Sequence, residues 1–277
     1  MQIKNHRLKN GNIKFVPTKK HGIKFGINLP DTIIVHYTAT RSVELAVDTL
    51  AKSEKKASAH LVVGKNDEIV QIVDFDTIAW HAGRSEYKGR KGFNKYSIGI
   101  EIDNPGWLKR TGNRFTTWYE KEVDISDVVE ARHRNPETDE RFWHRYTEKQ
   151  IEVVEEICET LASTYDIKHI LGHEEISPGR KQDPGPAFPL DKIRNNILAA
   201  DRDQEEGAKD EFPIDGVVNV NNSLNIRALP FAGAEKVARP IRNKQKVTII
   251  EEENGWYRVR TEITGWVSKK YIKKQNS

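Results

Sequence analysis

The chain has 277 residues, of which 36% are hydrophobic and 31% charged, and 45 Lys and Arg stand against 41 Asp and Glu. This length and composition predict a soluble globular protein with one large and one small domain. The polar, lysine-rich N-terminus has no apolar run behind it, so we expect neither a secretory signal nor a membrane span. The single cysteine, Cys158, excludes an internal disulfide, and a buried apolar role is favoured for it over a nucleophile.

The first predicted elements are a buried strand and a helix. DTIIVHY (31–37) is rich in β-branched residues, as is typical of buried strands. SVELAVDTLAKSEK (42–55) has helical spacing, with Leu45, Val47 and Leu50 on or near one face.

A hairpin follows, because HLVVGKNDEIVQIVD (60–74) contains two short apolar runs around a turn at 64–67.

A helix is predicted later in the chain, where Thr147 and Gln150 have the spacing of a helix capping box. The later elements are a strand, an amphipathic helix and a short strand: SIGIEID (97–103), TEKQIEVVEEICETLASTYD (147–166) and HILGH (169–173). The alternation of strands and helices predicts a mixed α/β fold with a central β-sheet flanked by helices.

Domain boundaries are indicated by composition. Residues 1–200 form the α/β domain, in which the charged, tryptophan-containing stretch 104–146 is interpreted as an insertion over the surface. Residues 201–213 are charged and almost free of apolar side chains, which predicts a linker. Residues 214–277 contain short strands, with turns at Asn254-Gly255 and near Gly265, and predict a small all-β barrel.

Charge is concentrated in the second domain. From Asp215 onwards there are 12 Lys and Arg against 6 Asp and Glu, whereas residues 1–214 hold 33 against 35. This balance suggests an anionic partner such as a wall polymer, nucleic acid or a lipid surface, and a solvated lysine-rich face explains it equally well.

Two histidines lie at the ends of predicted strands. His36 closes TIIVHY and His173 closes HILGH, and neighbouring strands lie about 5 Å apart, so the two imidazoles can converge. Asp183 follows on a loop containing two prolines and could supply a third ligand. Two histidines and a carboxylate suit a catalytic zinc site. Hydrogen-bonded structural histidines and an aspartate that caps a turn remain the alternative.

Two further residues have the chemistry that hydrolysis requires. Glu101 interrupts the apolar strand SIGIEID, and a carboxylate in that position needs a partner or a cavity, where its pKa rises towards the range of a general base. Lys181 lies two residues before Asp183, so in an extended loop both side chains point the same way. It is therefore the candidate to stabilise an oxyanion.

Five motifs occur in an order that resembles a known family. They are VHYTAT, ASAHLVV, WHAG, NKYSIGIEIDNPG and GHEEISPGRKQDPGPAFP, and they span roughly residues 28–198. The family is that of the zinc-dependent N-acetylmuramoyl-L-alanine amidases of the phage-lysozyme and peptidoglycan-recognition type. The resemblance implies that His36, His173 and Asp183 bind one zinc ion and that Glu101 and Lys181 assist catalysis. Some relatives have a catalytic tyrosine where this chain has Ala59. Because that tyrosine is absent here, the resemblance leaves its catalytic role to Glu101.

The same resemblance supplies candidates for the substrate groove. His60 and His81 match family positions in SAH and WHAG, and Trp80 adjoins His81; a structural role is favoured more for His60 than for His81. In the insertion, Trp107 and Trp118 are candidates for stacking on sugars, and burial against the domain is the alternative. SLNIRALP, NGWYRV and GWVSKKYI, within about residues 215–274, resemble a bacterial SH3-like domain, which implies anchoring to the cell wall.

The expected activity is hydrolysis of the amide bond between N-acetylmuramic acid and L-alanine in peptidoglycan, by a monomer that acts on the cell wall as a phage lysin, a secreted effector or a recycling enzyme. A peptidoglycan-binding protein without hydrolytic activity is the alternative. Nucleic acid is not expected as a partner, although the basic barrel leaves it as a weaker possibility.

Overall fold

The structure is a computed structural model, and it describes residues 1–135, 139, 141–205, 213–228, 236–253 and 256–262. The chain divides into two compact units, Met1–Glu205 and Glu206–Ser277. Within the described residues no helix is both long enough and apolar enough to span a bilayer.

Fifteen strands are described in the first unit. In chain order they are β1 (Gln2–Lys4), β2 (Arg7–Lys9), β3 (Ile13–Phe15), β4 (Thr32–Tyr37), β5 (Leu61–Val63), β6 (Ile69–Gln71), β7 (Glu86–Tyr87), β8 (Arg90–Lys91), β9 (Ser97–Ile102), β10 (Lys109–Thr111), β11 (Arg114–Thr116), β12 (Glu122–Val123), β13 (Val128–Glu130), β14 (Phe142–His144) and β15 (His169–Gly172).

Four α-helices accompany these strands: α1 (Val43–Val47), α2 (Glu148–Ala162), α3 (His173–Ile176) and α4 (Leu190–Glu205). A π-helical turn, Asp48–Lys52, continues α1, and 3₁₀ turns occupy Phe93–Lys95 and Ile125–Asp127. The predicted capping box is confirmed, because the Thr147 hydroxyl accepts from the Gln150 N–H and the Gln150 side chain accepts from the Thr147 N–H. The helical face predicted for 42–55 is partly wrong: Leu45 is 47% exposed, whereas Val43 and Ala46 face the core.

A six-stranded mixed sheet forms the centre of the first unit, as predicted, in the order β15-β4-β9-β5-β6-β3. The first four strands run parallel to one another, and β6 is antiparallel to β5 through the predicted hairpin. Parallel strands covered on both faces read as continuous apolar runs, and Ile33, Val35 and Ile100 are fully buried. The carboxyl ends of the four parallel strands therefore meet at one edge of the sheet.

One face of the sheet packs against α2 and α4. The shared core contains Val154, Ile157, Cys158 and Leu161 from α2, together with Ile193 from α4. Burial raises the pKa of the Cys158 thiol, which agrees with the prediction of a packed apolar residue rather than a nucleophile.

The insertion at 104–146 has its own secondary structure where it is described. Strands β10, β11 and β12 form one small antiparallel sheet, and β13 pairs with β14 in another. Trp143 on β14 is 1% exposed, so this part of the insertion is packed into the domain. The predicted linker begins too early, because α4 continues to Glu205.

Five strands are described in the second unit: β16 (Ile214–Val217), β17 (Ser223–Leu224), β18 (Ile241–Arg242), β19 (Lys246–Glu253) and β20 (Trp256–Arg260). Strands β16, β19 and β20 form one antiparallel sheet, and β17 pairs with β18. A small core forms around Val218, Ile241 and Val247. The predicted turns at Asn254-Gly255 and near Gly265 lie outside the described residues.

Candidate functional site

The sheet brings the predicted site residues to its carboxyl edge. His36 on β4 lies directly opposite Glu101 on β9 in the parallel register. On the other side of β4, Gly172 at the end of β15 lies opposite Val35. His173 is the next residue, but it begins α3 rather than ending the strand, because Gly172 serves as the helix N-cap and its N–H donates to the Glu175 carboxylate at 2.7 Å. Ligand sites of open α/β sheets lie at this edge.

Three donor atoms converge at this point. The Nδ1 atoms of His36 and His173 lie 2.9 Å apart, and each lies 2.9 Å from Oδ2 of Asp183. All three residues are buried, with exposed fractions of 1%, 3% and 7% in the order His36, His173, Asp183. The structure therefore gathers the three predicted ligands into one cluster that could hold a metal ion.

The second nitrogen of His173 fixes which nitrogen carries the proton. Nε2 lies 3.1 Å from the carbonyl oxygen of Ala82. A carbonyl oxygen only accepts, so Nε2 carries the hydrogen and donates it; the other neighbour of Nε2, the donor Nη2 of Arg180, lies farther away at 3.5 Å. In the neutral ring, Nδ1 is then left with a lone pair directed at the cluster.

A relay of two hydrogen-bonded histidines, His81 and His36, fixes which nitrogen of His36 carries the proton. His81 Nε2 lies 3.2 Å from the backbone carbonyl of Ser97, so this nitrogen donates and His81 Nδ1 accepts. His81 Nδ1 lies 3.0 Å from His36 Nε2, which must then be the donor. Burial lowers the pKa of His81 well below its usual value, which keeps the ring neutral and the direction of the relay fixed. Gly99 provides the space, because a Cβ there would lie 2.4 Å from the His81 ring.

The cluster therefore presents lone pairs from two imidazoles and a carboxylate to one point. Burial, with His173 adding to it, lowers the pKa of His36 to about 4. Three mutually facing acceptors repel one another unless a cation lies between them, and two nitrogens with one carboxylate oxygen are donors that zinc accepts. The donor set fits the expected zinc ion.

Backbone and side-chain bonds fold the 177–185 loop onto α3. The Glu174 N–H donates to the carbonyl of Asp183 at 2.9 Å, and the Tyr146 hydroxyl donates to the carbonyl of Pro184 at 2.8 Å. Pro184 packs so closely on Gly172 that a Cβ there would lie 2.8 Å from the proline ring. Asp183 is thus held beside His173 by its neighbours in the chain.

A buried histidine of the insertion contributes to the same support. The charged residues on either side of His133 in the sequence predict a solvated surface histidine, and this prediction is wrong, because His133 is 3% exposed. Its Nε2 bonds the Glu174 carboxylate and lies 3.1 Å from the carbonyl of Gln182, next to Asp183. Arg134 donates to the other Glu174 oxygen at 2.8 Å. The insertion thereby clamps the segments that carry two of the three donors.

A groove of about 340 Å³ opens beside the cluster and is lined by Glu101 and Lys181. Burial, reinforced by Asp183, raises the pKa of the Glu101 carboxyl to about 8, and Lys181 opposes the rise. A carboxyl with its pKa near neutrality can both accept and return a proton in this pH range. The two predicted catalytic side chains therefore share one cavity with the three donors.

The four predicted groove residues divide into two pairs. Trp80 and His81 line the groove, and the relay gives His81 a second contact, to His36. His60 is fully buried and does not line it: the Gly99 N–H donates to its Nδ1 at 3.0 Å, and its Nε2 donates to the Thr77 carbonyl at 2.9 Å. Trp107 does not line it either; its backbone forms a bridge with Trp143 inside the insertion.

The fold and the site together define an α/β protein with a three-donor, metal-competent cluster at the carboxyl ends of its parallel strands. Residues 27–186 match the family model described as N-acetylmuramoyl-L-alanine amidase, and residues 222–273 match that of the bacterial SH3 domain. The chain belongs to the N-acetylmuramoyl-L-alanine amidase family and carries a bacterial SH3 domain after the amidase domain.

Curated relatives agree with this assignment. The chain is 29% identical over 178 residues to the N-acetylmuramoyl-L-alanine amidase AmiD of Escherichia coli (strain K12), covering 61% of this chain and 53% of AmiD. It is 33% identical over 141 residues to the 1,6-anhydro-N-acetylmuramyl-L-alanine amidase AmpD of the same organism, covering 50% of this chain and 57% of AmpD. The chain thus spans about half the length of the curated relatives it matches.

Solved structures of such amidases are also similar. A selenomethionine derivative of AmpD gives a TM-score of 0.47 at 24% identity, covering 72% of this chain and 98% of that one. AmiD from E. coli, solved in complex with the substrate anhydro-N-acetylmuramic acid-L-Ala-D-gamma-Glu-L-Lys, gives a TM-score of 0.44 at 25% identity, covering 71% and 61%.

Proposed function

We propose that the protein hydrolyses the amide bond between the lactyl group of N-acetylmuramic acid and the L-alanine of the stem peptide in peptidoglycan. The observation that carries this proposal is the meeting of His36, His173 and Asp183 in a groove that also contains Glu101 and Lys181. Membership of the amidase family supports the choice of bond.

His36, His173 and Asp183 would hold one zinc ion through Nδ1, Nδ1 and Oδ2. When bound, zinc polarises a scissile carbonyl and lowers the pKa of a water molecule towards neutrality. The outer nitrogens of the two imidazoles donate to His81 and to the Ala82 carbonyl, which leaves the Nδ1 lone pair of each neutral ring for the ion.

Glu101 is the proposed general base and acid. Its raised pKa allows the carboxylate to accept a proton from the attacking water and then to return it to the leaving amine of L-alanine. Lys181 carries a positive charge into the same groove, where its ammonium would donate to the oxyanion that forms as water attacks the carbonyl.

The bacterial SH3 domain is proposed to bind the enzyme to peptidoglycan. From Asp215 onwards the chain holds 12 Lys and Arg against 6 Asp and Glu, and this excess of six positive charges suits binding to the anionic cell wall. We propose that the protein acts on the bacterial cell wall and that it does so as a monomer.

The test uses the full chain with purified peptidoglycan and with a defined muramyl peptide, analysed by mass spectrometry. We expect free stem peptides that begin with L-alanine, loss of the reaction on removal of metal by a chelator, and recovery on addition of zinc. Unchanged masses with zinc-loaded, folded protein that still binds the wall would make it a binding protein without hydrolytic activity.

A further inference from the structure

The most exposed of the described tryptophans lies at the tip of the insertion. Trp118 occupies the turn between β11 and β12 and is 54% exposed, whereas the other described tryptophans are buried or half-buried. Isolated exposed apolar residues are common on surfaces, so position and anchoring decide whether this one has a role.

The turn holds Trp118 in a fixed place. The Thr117 N–H donates to the Lys121 carbonyl at 2.9 Å, and the Lys121 N–H donates to the Thr117 hydroxyl at 3.0 Å. Glu120 completes the turn with a φ of 65° and an N–H bond to the Thr117 carbonyl at 3.0 Å. The tip is therefore a preformed support for the indole ring.

The ring is tied to the groove through Ala39. The indole N–H donates to the Ala39 carbonyl at 3.0 Å, and Ala39 itself lines the groove that contains Glu101. The Ala39 N–H in turn donates to the carbonyl of Asn104, where the insertion begins. Trp118 thus stands just outside the groove, bonded to one of its walls.

The neighbouring side chains hold the indole from one side. The Tyr119 ring meets it edge to face with centroids 5.3 Å apart, and the Arg41 guanidinium lies 5.3 Å from the Tyr119 ring. The only polar atom of the indole is already used on Ala39. The exposed part of the ring is an aromatic face, which can stack on the C–H face of a sugar. Such a face also attracts the ammonium group of a stem peptide, so the two ligands have to be separated by substrates that share the peptide and differ in the glycan.

We infer that Trp118 is a glycan-positioning residue, which stacks on the flat C–H face of the sugar next to the muramic acid whose amide is cleaved. The inference rests on the proposed function and extends it to the substrate class: a glycan strand of at least two sugars is preferred over a single muramyl peptide. The muramic acid itself would lie in the groove, because its amide must reach Glu101; a ring just outside the groove meets the adjoining sugar.

The test compares two substrates with the same stem peptide, one on a single muramic acid and one on a tetrasaccharide. For zinc-loaded Trp118→Ala we expect KM on the tetrasaccharide substrate to rise about 3- to 10-fold, as loss of one aromatic stacking contact predicts, with kcat unchanged. On the single-sugar substrate KM should not change. Trp118→Phe, which keeps a flat ring, should lie between wild type and Trp118→Ala.

Ile125→Ala is the matched control, because Ile125 is another exposed apolar residue of the insertion, at 68%. An unchanged KM on the tetrasaccharide substrate, or an equal rise on both substrates, overturns the inference while leaving the proposed hydrolysis intact. Calorimetric binding of an N-acetylglucosamine tetrasaccharide to the metal-free full chain provides a readout independent of hydrolysis. Weaker binding by Trp118→Ala supports the inference, and equal binding by both proteins overturns it.

Discussion

Two buried histidines in neighbouring parts of the sheet have opposite surroundings. His36 and His60 are both almost completely buried, and burial lowers the pKa of each to about 4. His60 has one partner for each nitrogen, a donor at Nδ1 and an acceptor at Nε2. His36 is satisfied only at Nε2, while its Nδ1 faces another imidazole and a carboxylate. Burial alone thus does not distinguish a ligand from a packed histidine; the partners of its two nitrogens do.

Substituting each histidine by glutamine should separate these roles most strongly. For His36→Gln we expect zinc affinity to fall more than about 100-fold, since loss of a ligand exceeds the effect of losing one of its supports. The free energy of unfolding of the metal-free protein should barely change, because the substitution removes one of three acceptor atoms that repel one another. Chelator competition and thermal unfolding measure the two quantities.

His60→Gln should give the reverse pattern. Leaving the Gly99 N–H or the Thr77 carbonyl without a partner in a fully buried place should lower the free energy of unfolding by about 1–3 kcal/mol. Zinc affinity of the folded protein should stay within about 3-fold of wild type. If both variants lose zinc equally, the distinction drawn between the two histidines is wrong.

Glu101→Gln tests the proton transfer rather than the metal. We expect kcat to fall about 10²- to 10⁴-fold, the usual contribution of general acid–base catalysis, with zinc content unchanged. Asp103→Asn is the matched control, because Asp103 is a buried carboxyl two residues further along that lines a different cavity. Near-wild-type turnover by Glu101→Gln would remove Glu101 from the mechanism.

His81 supports His36 through the relay, so His81→Leu should weaken zinc binding about 10- to 100-fold. His81→Gln should lose less, since its amide can accept from His36 Nε2 and donate to the Ser97 carbonyl. Zinc titration against a competing chelator gives both values. Equal loss in the two variants would show that the ring acts by packing and not by directing protons.

The pH dependence of stability offers the smallest effect. The pKa of Glu101 in the folded protein, about 8, lies above the ordinary value of 4.5, so the folded state holds this proton more tightly than the unfolded chain. The free energy of unfolding of the metal-free protein should therefore fall as pH rises from about 4.5 to about 8. Glu101→Gln should lack this part of the decline. Identical pH profiles for the two proteins would contradict the raised pKa.

Much of the site was predictable because it follows local patterns. The β-branched run that ends in His36 defines its strand, and the short loop between His173 and Asp183 limits how far apart they can lie. Glu101 was found as a charge within an apolar strand. The family resemblance placed His81 near the site, but its relay ends on the Ser97 backbone carbonyl, which no side-chain pattern reveals.

His133 could not have been found in the same way. Its burial depends on the pairing of β13 with β14 and on the fold of the insertion over Glu174, contacts between residues 41 positions apart. Its charged neighbours in the sequence, Arg132 and Arg134, predict exposure to solvent. Arg134 instead forms ion pairs with Glu174 and Glu175. Tertiary pairing of charges reverses the local prediction.

The most direct test of the central claim, that two imidazoles and one carboxylate share an ion, is the metal content of the purified full chain combined with zinc-edge X-ray absorption. We predict one zinc ion per chain, bound by two imidazole nitrogens and by oxygen, with no sulfur ligand. A chain that remains metal-free in excess zinc while cleaving muramyl peptides, or a spectrum with fewer than two imidazoles, would contradict it.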